Sequence, residues 1–247
     1  MISLTAFTLI ETSPDINCHQ GIATDGTYYY GIDTQAIRKF DLDWNLISEN
    51  NNAGIQVNLN HIGDGFVYDN VLYIPCENVN VLNLRDYDST SIAKFNTSDL
   101  SLISVTEVDS DGTEISGIGL DVDNSIIYAV NGVEQKIVKF QLSNFTKIES
   151  IQLSERVLLS IQGITYNSEN GYLYINKNDG TVYRCTTSGE VQYPPLLKGD
   201  FIGQGIDFTG DNLLVLNDPD DIETVSIYRD NNTYIDSTSS TLTIKTS

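Results

Sequence analysis

The two histidines of the chain, His19 and His61, occupy matching places, each just ahead of a glycine-led apolar run, with Asp33, Asp64 and Glu77 in the same two stretches. An imidazole beside a carboxylate can take and return a proton near neutral pH, or ligate a metal. His19, Asp33, His61 and Glu77 are therefore the candidates for acid–base chemistry. A second constellation consists of oxygen donors. Asp33, Glu77, Asn131, Asn176 and Asn217 each close an apolar run, while His19, Gln20, Asp64, Gln162 and Gln204 stand at the entrance to one. Gathered into a ring, carboxylate and amide oxygens of this kind suit Ca²⁺ better than Zn²⁺. Asp33, Asn131, Asn176 and Asn217 are accordingly the candidate metal ligands. The local alternative is that Asn and Asp end strands because they accept turn conformations and cap free backbone groups.

Motifs that would sharpen either reading are missing from the sequence. There is no GxSxG elbow, no HExxH, no phosphate-cradling glycine loop and no CxxC pair. Two acidic turns, Asp109-Ser110-Asp111-Gly112-Thr113-Glu114 and Asp218-Pro219-Asp220-Asp221, lack the twelve-residue spacing of a calcium loop and read as plain turns. Cys18, Cys76 and Cys185 form no metal pattern and no disulfide framework. Cys18 and Cys76 could meet across neighbouring repeats, but buried unpaired thiols are the expectation.

The elements that must position these residues repeat. Gly21, Gly65, Gly117, Gly163 and Gly205 each precede an apolar residue, at spacings of 44, 52, 46 and 42. After each comes a short strand, a tight turn and a second strand rich in Tyr, Ile and Leu. In the fourth unit Gly163-Ile164-Thr165-Tyr166 leads through Asn167–Gly171 to Tyr172-Leu173-Tyr174-Ile175, then through Asn178-Asp179-Gly180 to Thr181-Val182-Tyr183-Arg184. Asn and Gly in those turns accept positive φ. Third strands recur as Ala36–Phe40, Ile92–Phe95 and Ile137–Phe140. Weaker fourth strands follow, such as Leu46-Ile47-Ser48 and Leu102-Ile103-Ser104. A period in the forties made of four short strands predicts an all-β, five-bladed β-propeller, with six blades as the alternative.

A glycine at the head of each innermost strand lets five sheets approach one axis closely. The expected organisation is one domain over residues 1–247, with blades starting near 19, 63, 115, 161 and 203. Terminal segments 4–10 and 241–245 are left to complete the last blade and cover its free edge. The longer second unit carries an insertion over Glu77–Ser91.

Composition narrows the function classes. The chain carries 13 Lys and Arg against 34 Asp and Glu, a formal charge of −21. That disfavours nucleic acid, whose phosphates need clustered cations, and anionic membrane for the same reason. No run is long enough to span a bilayer, and the first residues do not read as a secretion signal. Trp44, Tyr87 and Tyr193 are the aromatics placed to stack on sugar rings, the alternative being edge packing.

Two resemblances add to this. The stretch His19-Gln20-Gly21-Ile22-Ala23-Thr24-Asp25-Gly26-Thr27-Tyr28-Tyr29, followed by Ala36-Ile37-Arg38-Lys39-Phe40-Asp41-Leu42, resembles the blade pattern of glutamine-cyclotransferase-type and SMP-30/NHL-type propellers. That likeness implies a site at the channel mouth. Cyclotransferase-type enzymes carry an acidic residue early in the second strand of the first blade, where this chain has Tyr30 and Gly31. SMP-30-type lactonases hold a metal with Glu, Asn and Asp at the mouth, to which Asn131 and Asn176 are similar. The second resemblance is compositional: acidic, Asn/Ser/Thr-rich β-proteins of this sort look like bacteriophage tail, baseplate or capsid-decoration components.

The function expected from these observations is a non-enzymatic docking module of a virion. It would have no cofactor and would bind other virion proteins or a host-surface protein or glycan, without nucleic acid or membrane insertion, inside an oligomeric assembly. The alternative is a metal-dependent hydrolase or cyclotransferase with Ca²⁺ at the channel mouth, in the cytoplasm or, if a signal has been removed, outside the cell.

Overall fold

In the computed structural model, the residues described are 7–79, 87–111, 114–132, 134–154, 160–198, 203–217 and 222–230. A first strand, β1 (Phe7–Thr12), precedes blade one, which comprises β2 (Gly21–Thr24), β3 (Tyr29–Ile32), β4 (Ile37–Phe40) and β5 (Leu46–Asn50). A single helical turn, α1 (Ala53–Val57), leads to blade two: β6 (His61–Ile62), β7 (Phe66–Tyr68), β8 (Val71–Val79), β9 (Tyr87–Asn96) and β10 (Leu102–Glu107). Blade three is β11 (Gly117–Asp121), β12 (Ile126–Asn131), β13 (Lys136–Gln141) and β14 (Lys147–Gln152). Blade four is β15 (Ile161–Asn167), β16 (Tyr172–Lys177) and β17 (Val182–Cys185); blade five is β18 (Gly203–Thr209), β19 (Asn212–Asn217) and β20 (Thr224–Asp230). Each blade is an antiparallel sheet of sequential neighbours, and together the sheets form a five-bladed β-propeller. Among the described residues no helix is long and apolar enough to cross a membrane.

Closure comes from the amino-terminal side. β1 pairs antiparallel with β20, Phe7 opposite Asp230 and Thr12 opposite Ser226, and so supplies the fourth strand of blade five. The indole Nε1 of Trp44 in blade one donates to Glu11 Oε1 at 2.9 Å, tying the closing strand to the neighbouring blade. Residues 241–245 lie outside the described residues. Among the described residues blade four has no regular fourth strand. Its outer edge meets only isolated bridges, Val182 to Leu197 and Cys185 to Val191.

Packing follows the ring. Each junction between neighbouring blades holds its own buried cluster: Tyr30 and Ile32 against Leu72 and Phe95, Tyr73 against Ile118 and Ile127, and Tyr128 against Ile164 and Leu173. The last two junctions pair Tyr174 with Ile206 and Leu213, and Leu214 and Val225 with Ile22 and Phe40. Alternation along each strand puts one apolar face toward each neighbour. A fully buried Ile, Leu or Phe contributes about 1.5–3 kcal/mol. The closed ring leaves no blade with a bare face.

The axis departs from the sequence expectation at one residue. The innermost positions are Gly21, Gly117, Gly163, Gly205 and, in blade two, Asp64 rather than Gly65. A Cβ on Gly205 would lie 2.6 Å from Gly21 Cα, one on Gly21 2.7 Å from Asp64 Cα, and one on Gly117 2.8 Å from Gly163 Cα. Gly65 instead faces its own sheet, where a Cβ would run into the Tyr73 carbonyl. The inner strand of blade two is broken at Gly63-Asp64-Gly65, leaving β6 and β7 as separate short pairings with β8. Asp64 joins a parallel bridge to Gly117 of the next blade.

Candidate functional site

Asp64 is fully buried and closes the axis. Its Oδ1 accepts the Ile22 N–H of blade one at 3.0 Å and its Oδ2 accepts the Ile206 N–H of blade five at 3.0 Å. Its backbone N–H donates to Ser116 O in blade three, and its carbonyl accepts from Ile118 N. A Cβ on Gly163 of blade four would fall 2.6 Å from Oδ2. One residue thus joins blades one and five through its side chain and blade three through its backbone, and stands against Gly163 of blade four. Gly21, Gly163 and Gly205 leave the room that this carboxylate fills. Burial pushes the Asp64 carboxyl well above the usual range, against the Ile206, Ile22 and Gly65 N–H groups that favour the charge.

A second buried carboxylate lies further along the same hub. Asp207 accepts from Thr24 N at 2.9 Å, from Thr165 Oγ1 at 3.2 Å and from Phe208 N at 2.8 Å, lacing blades one, four and five. Burial raises it to about 7. Sequence reading placed Asp64 among entrance oxygens and did not single out Asp207. The glycines flanking Asp64 were no signal for it, since Gly203-Gln204-Gly205 repeats the pattern in the fifth unit.

At the mouth, the four proposed acid–base residues form two pairs. His61 and Glu77 are cross-strand partners in β6 and β8, so their side chains share a face. His61 Nδ1 stands 3.0 Å from Glu77 Oε1, and Glu77 is buried. This approach has ion-pair length without the alignment of a regular hydrogen bond, and among the described residues neither atom has another hydrogen-bond partner. Glu77 Oε2 accepts the Ile115 N–H at 3.3 Å, and His61 Nε2 meets Gln20 Oε1 at 2.9 Å. In the second pair, His19 Nδ1 lies 2.9 Å from Asp33 Oδ1 and its Nε2 3.2 Å from Thr34 Oγ1. Burial would raise the Asp33 carboxyl. The His19 contact, the Thr34 N–H and Arg38 outweigh it and hold the group below the ordinary range.

The asparagines of the proposed metal set are all buried at strand-two ends. Asn131 Oδ1 accepts from Glu134 N, Asn176 Nδ2 donates to Gly205 O and Asn217 Nδ2 donates to Ser226 Oγ. Each therefore stitches backbone or a neighbouring strand. Asn176 Oδ1, Asn217 Oδ1 and Glu77 Oε1 carry no hydrogen bond. Ca²⁺ takes six to eight oxygens, and Asp33 has given one of its own to His19 and Thr34. Among the described residues no three His, Cys, Asp or Glu side chains gather as a cation site.

The remaining sequence candidates resolve as follows. Asp109 and Asp111 both pair with Lys147, so that acidic turn is an ion-paired loop; Gly112 and Thr113 lie outside the described residues, as do Asp218–Asp221. All three cysteines are free and buried, and burial pushes Cys18 and Cys76 to about 12, which leaves them poor nucleophiles. Trp44 is buried against Tyr29, ring centroids 4.2 Å apart, and is not available to a sugar. Tyr193 is about half exposed, and the side chain of Tyr87 lies outside the described residues.

This architecture has solved counterparts. A glutaminyl cyclase from Myxococcus xanthus superposes with a TM-score of 0.66 at 12% identity, over 90% of this chain and 95% of that one. A luciferin-regenerating enzyme superposes with a TM-score of 0.59 at 13% identity, over 89% and 94%. The likeness is one of fold. No family model and no curated protein sequence matches the chain.

The blade rims hold a feature legible in the sequence only as weak fourth strands. Outer strands β1, β5, β10 and β14 expose Leu9 and Ile10, Leu46 and Ile47, Ile103 and Val105, and Ile148. Among the described residues no strand pairs with their outer edges.

Proposed function

We propose that the chain is a non-enzymatic docking module, a tail, baseplate or capsid-decoration component of a phage particle, whose rims receive extended segments of a partner. The observation carrying this reading is that the rim strands β5, β10 and β14 have no strand paired to their outer edge among the described residues and expose aliphatic side chains. Edges of this kind are usually blunted by Lys or Pro because they recruit other strands. Adding a strand pairs the backbone, and covering a half-exposed Ile or Leu contributes about 1 kcal/mol each. A chain of charge −21 favours a basic partner. The acidic, Asn/Ser/Thr-rich composition is what points to a virion. Immunogold microscopy with an antibody to the recombinant chain tests it. Label on tails, baseplates or capsids is expected, and label confined to the cytoplasm refutes the assignment.

The His61–Glu77–Gln20 arrangement favours a second reading, a hydrolase or cyclotransferase working at the mouth. Glu77 would orient the imidazole and balance its charge, and a substrate displacing Gln20 would exchange a proton with Nε2. The fold shared with a glutaminyl cyclase suggests amino-terminal glutaminyl peptides as the first substrates to assay. Turnover abolished by His61→Asn supports this reading. Turnover unchanged in that variant rejects it.

A further inference from the structure

The face opposite the mouth carries a pocket of about 230 Å³ between the inner-strand ends of blades three, four and five. Leu120, Val122, Tyr166 and Phe208 form its walls, and Asn167, Ser168 and Glu169 its polar lining. Neither aromatic wall is a loose surface ring. Tyr166 stacks on Tyr128 with centroids 5.8 Å apart, and Phe208 meets Tyr174 edge-on at 4.8 Å. Asn170 in turn donates to the Tyr174 hydroxyl at 2.9 Å. The walls are therefore held before any ligand arrives.

Charge selects the ligand. Beyond Glu169 in the lining, Asp121 and Asp123 lie close enough to act on the Tyr166 phenol, which burial and those two carboxylates together hold above its ordinary range. No lining residue is basic. Two aromatic walls and a carboxylate in one small concavity attract a cation strongly, because ring faces and carboxylate are both negative. An anion would be repelled at the same place. The volume admits a single side chain or a molecule of similar size, below that of a pocket for a drug-sized ligand.

We infer that this pocket binds a small organic cation, a guanidinium or ammonium group on a short aliphatic stem. The stem lies along Leu120 and Val122, and the charged end meets Tyr166, Phe208 and Glu169. The same chemistry occurs in a free diamine or amino-guanidine and in an Arg or Lys side chain of a protein. The site stands apart from both the mouth pairs and the rim strands.

Titration calorimetry with agmatine, and with methyl glucoside as an uncharged ring of similar bulk, tests this on the whole chain. Saturable agmatine binding in the millimolar range or tighter, weakened severalfold by Glu169→Gln and by added salt, is expected. Val122→Trp, at a half-exposed position that leaves the core untouched, fills the pocket and should abolish binding while the melting temperature stays unchanged. Repeating the titration with an acetylated arginine amide separates the two sources: equal affinity admits a protein side chain, and binding of agmatine alone restricts the site to free amines. No binding of agmatine, binding undiminished by Val122→Trp, or methyl glucoside binding as tightly as agmatine would each overturn the assignment.

Discussion

Removing the Asp64 carboxylate tests whether the axis is held as described. In Asp64→Ala, the buried N–H groups of Ile22 and Ile206 lose their acceptors. A buried donor left unpaired costs about 1–3 kcal/mol, so two cost about 2–6 kcal/mol, with the vacated space at the axis adding to this. Asp64→Asn keeps the shape and one acceptor oxygen but turns an NH₂ toward the other N–H, which leaves about 1–3 kcal/mol lost. Against that loss, the amide removes a carboxyl that burial already disfavours in its charged form. Asn should therefore be the milder change, and the loss relative to wild type should shrink equally in both variants as pH rises, leaving the gap between them constant. Urea unfolding monitored through the single Trp, buried beside blade one, gives both stabilities. A loss below about 1 kcal/mol in Asp64→Ala would refute the claim that this side chain laces the blades.

Three further outcomes follow from named contacts. Asp207 has a folded value of about 7 against an ordinary 3.8, so its stabilising neutral form is complete below pH 3.8 and lost as pH rises through 7. Relative to wild type, Asp207→Asn should gain up to about 4 kcal/mol between those limits, and a pH-independent difference in unfolding free energy would contradict it. Gly205→Ala places a methyl 2.6 Å from Gly21 Cα and Ile22 N, which are backbone and cannot step aside. A loss of about 1–3 kcal/mol is expected, and a wild-type melting temperature would show that the hub has slack. Trp44→Phe keeps an aromatic ring on Tyr29 and deletes the bond to Glu11. It should cost about 0.5–1.5 kcal/mol, and no loss in denaturant titration would remove that tie from the closure.

Much of the architecture was legible because its signals are local. Gly26, Gly171 and Gly180 do adopt positive φ at the turns read from Asp25-Gly26, Asn170-Gly171 and Asp179-Gly180. Strand-two ends fell where Asn131 and Asn217 stand, since an Asn after a Tyr- and Ile-rich run marks a stop. Asp64 was misassigned by one residue because the Gly-apolar pattern matches Gly65-Phe66, whereas the axis position is fixed by pairing with Gly117 in another blade. Asp207 was invisible for a similar reason: its partners Thr24 and Thr165 are 183 and 42 residues away. The sequence sets the histidines beside Asp33, Asp64 and Glu77 without choosing among them, and the cross-strand register gives Glu77 to His61. The pocket beside Tyr166 and Phe208 needed three blade ends at once, and no spacing within one unit encodes it.

Hydrogen–deuterium exchange on the isolated chain and on the same chain within its assembly tests the docking account most directly. Slower exchange confined to the outer strands β5, β10 and β14, with the mouth around His61 and Glu77 unchanged, is the predicted result. Protection at the mouth with the rim strands exchanging as freely as before would contradict it.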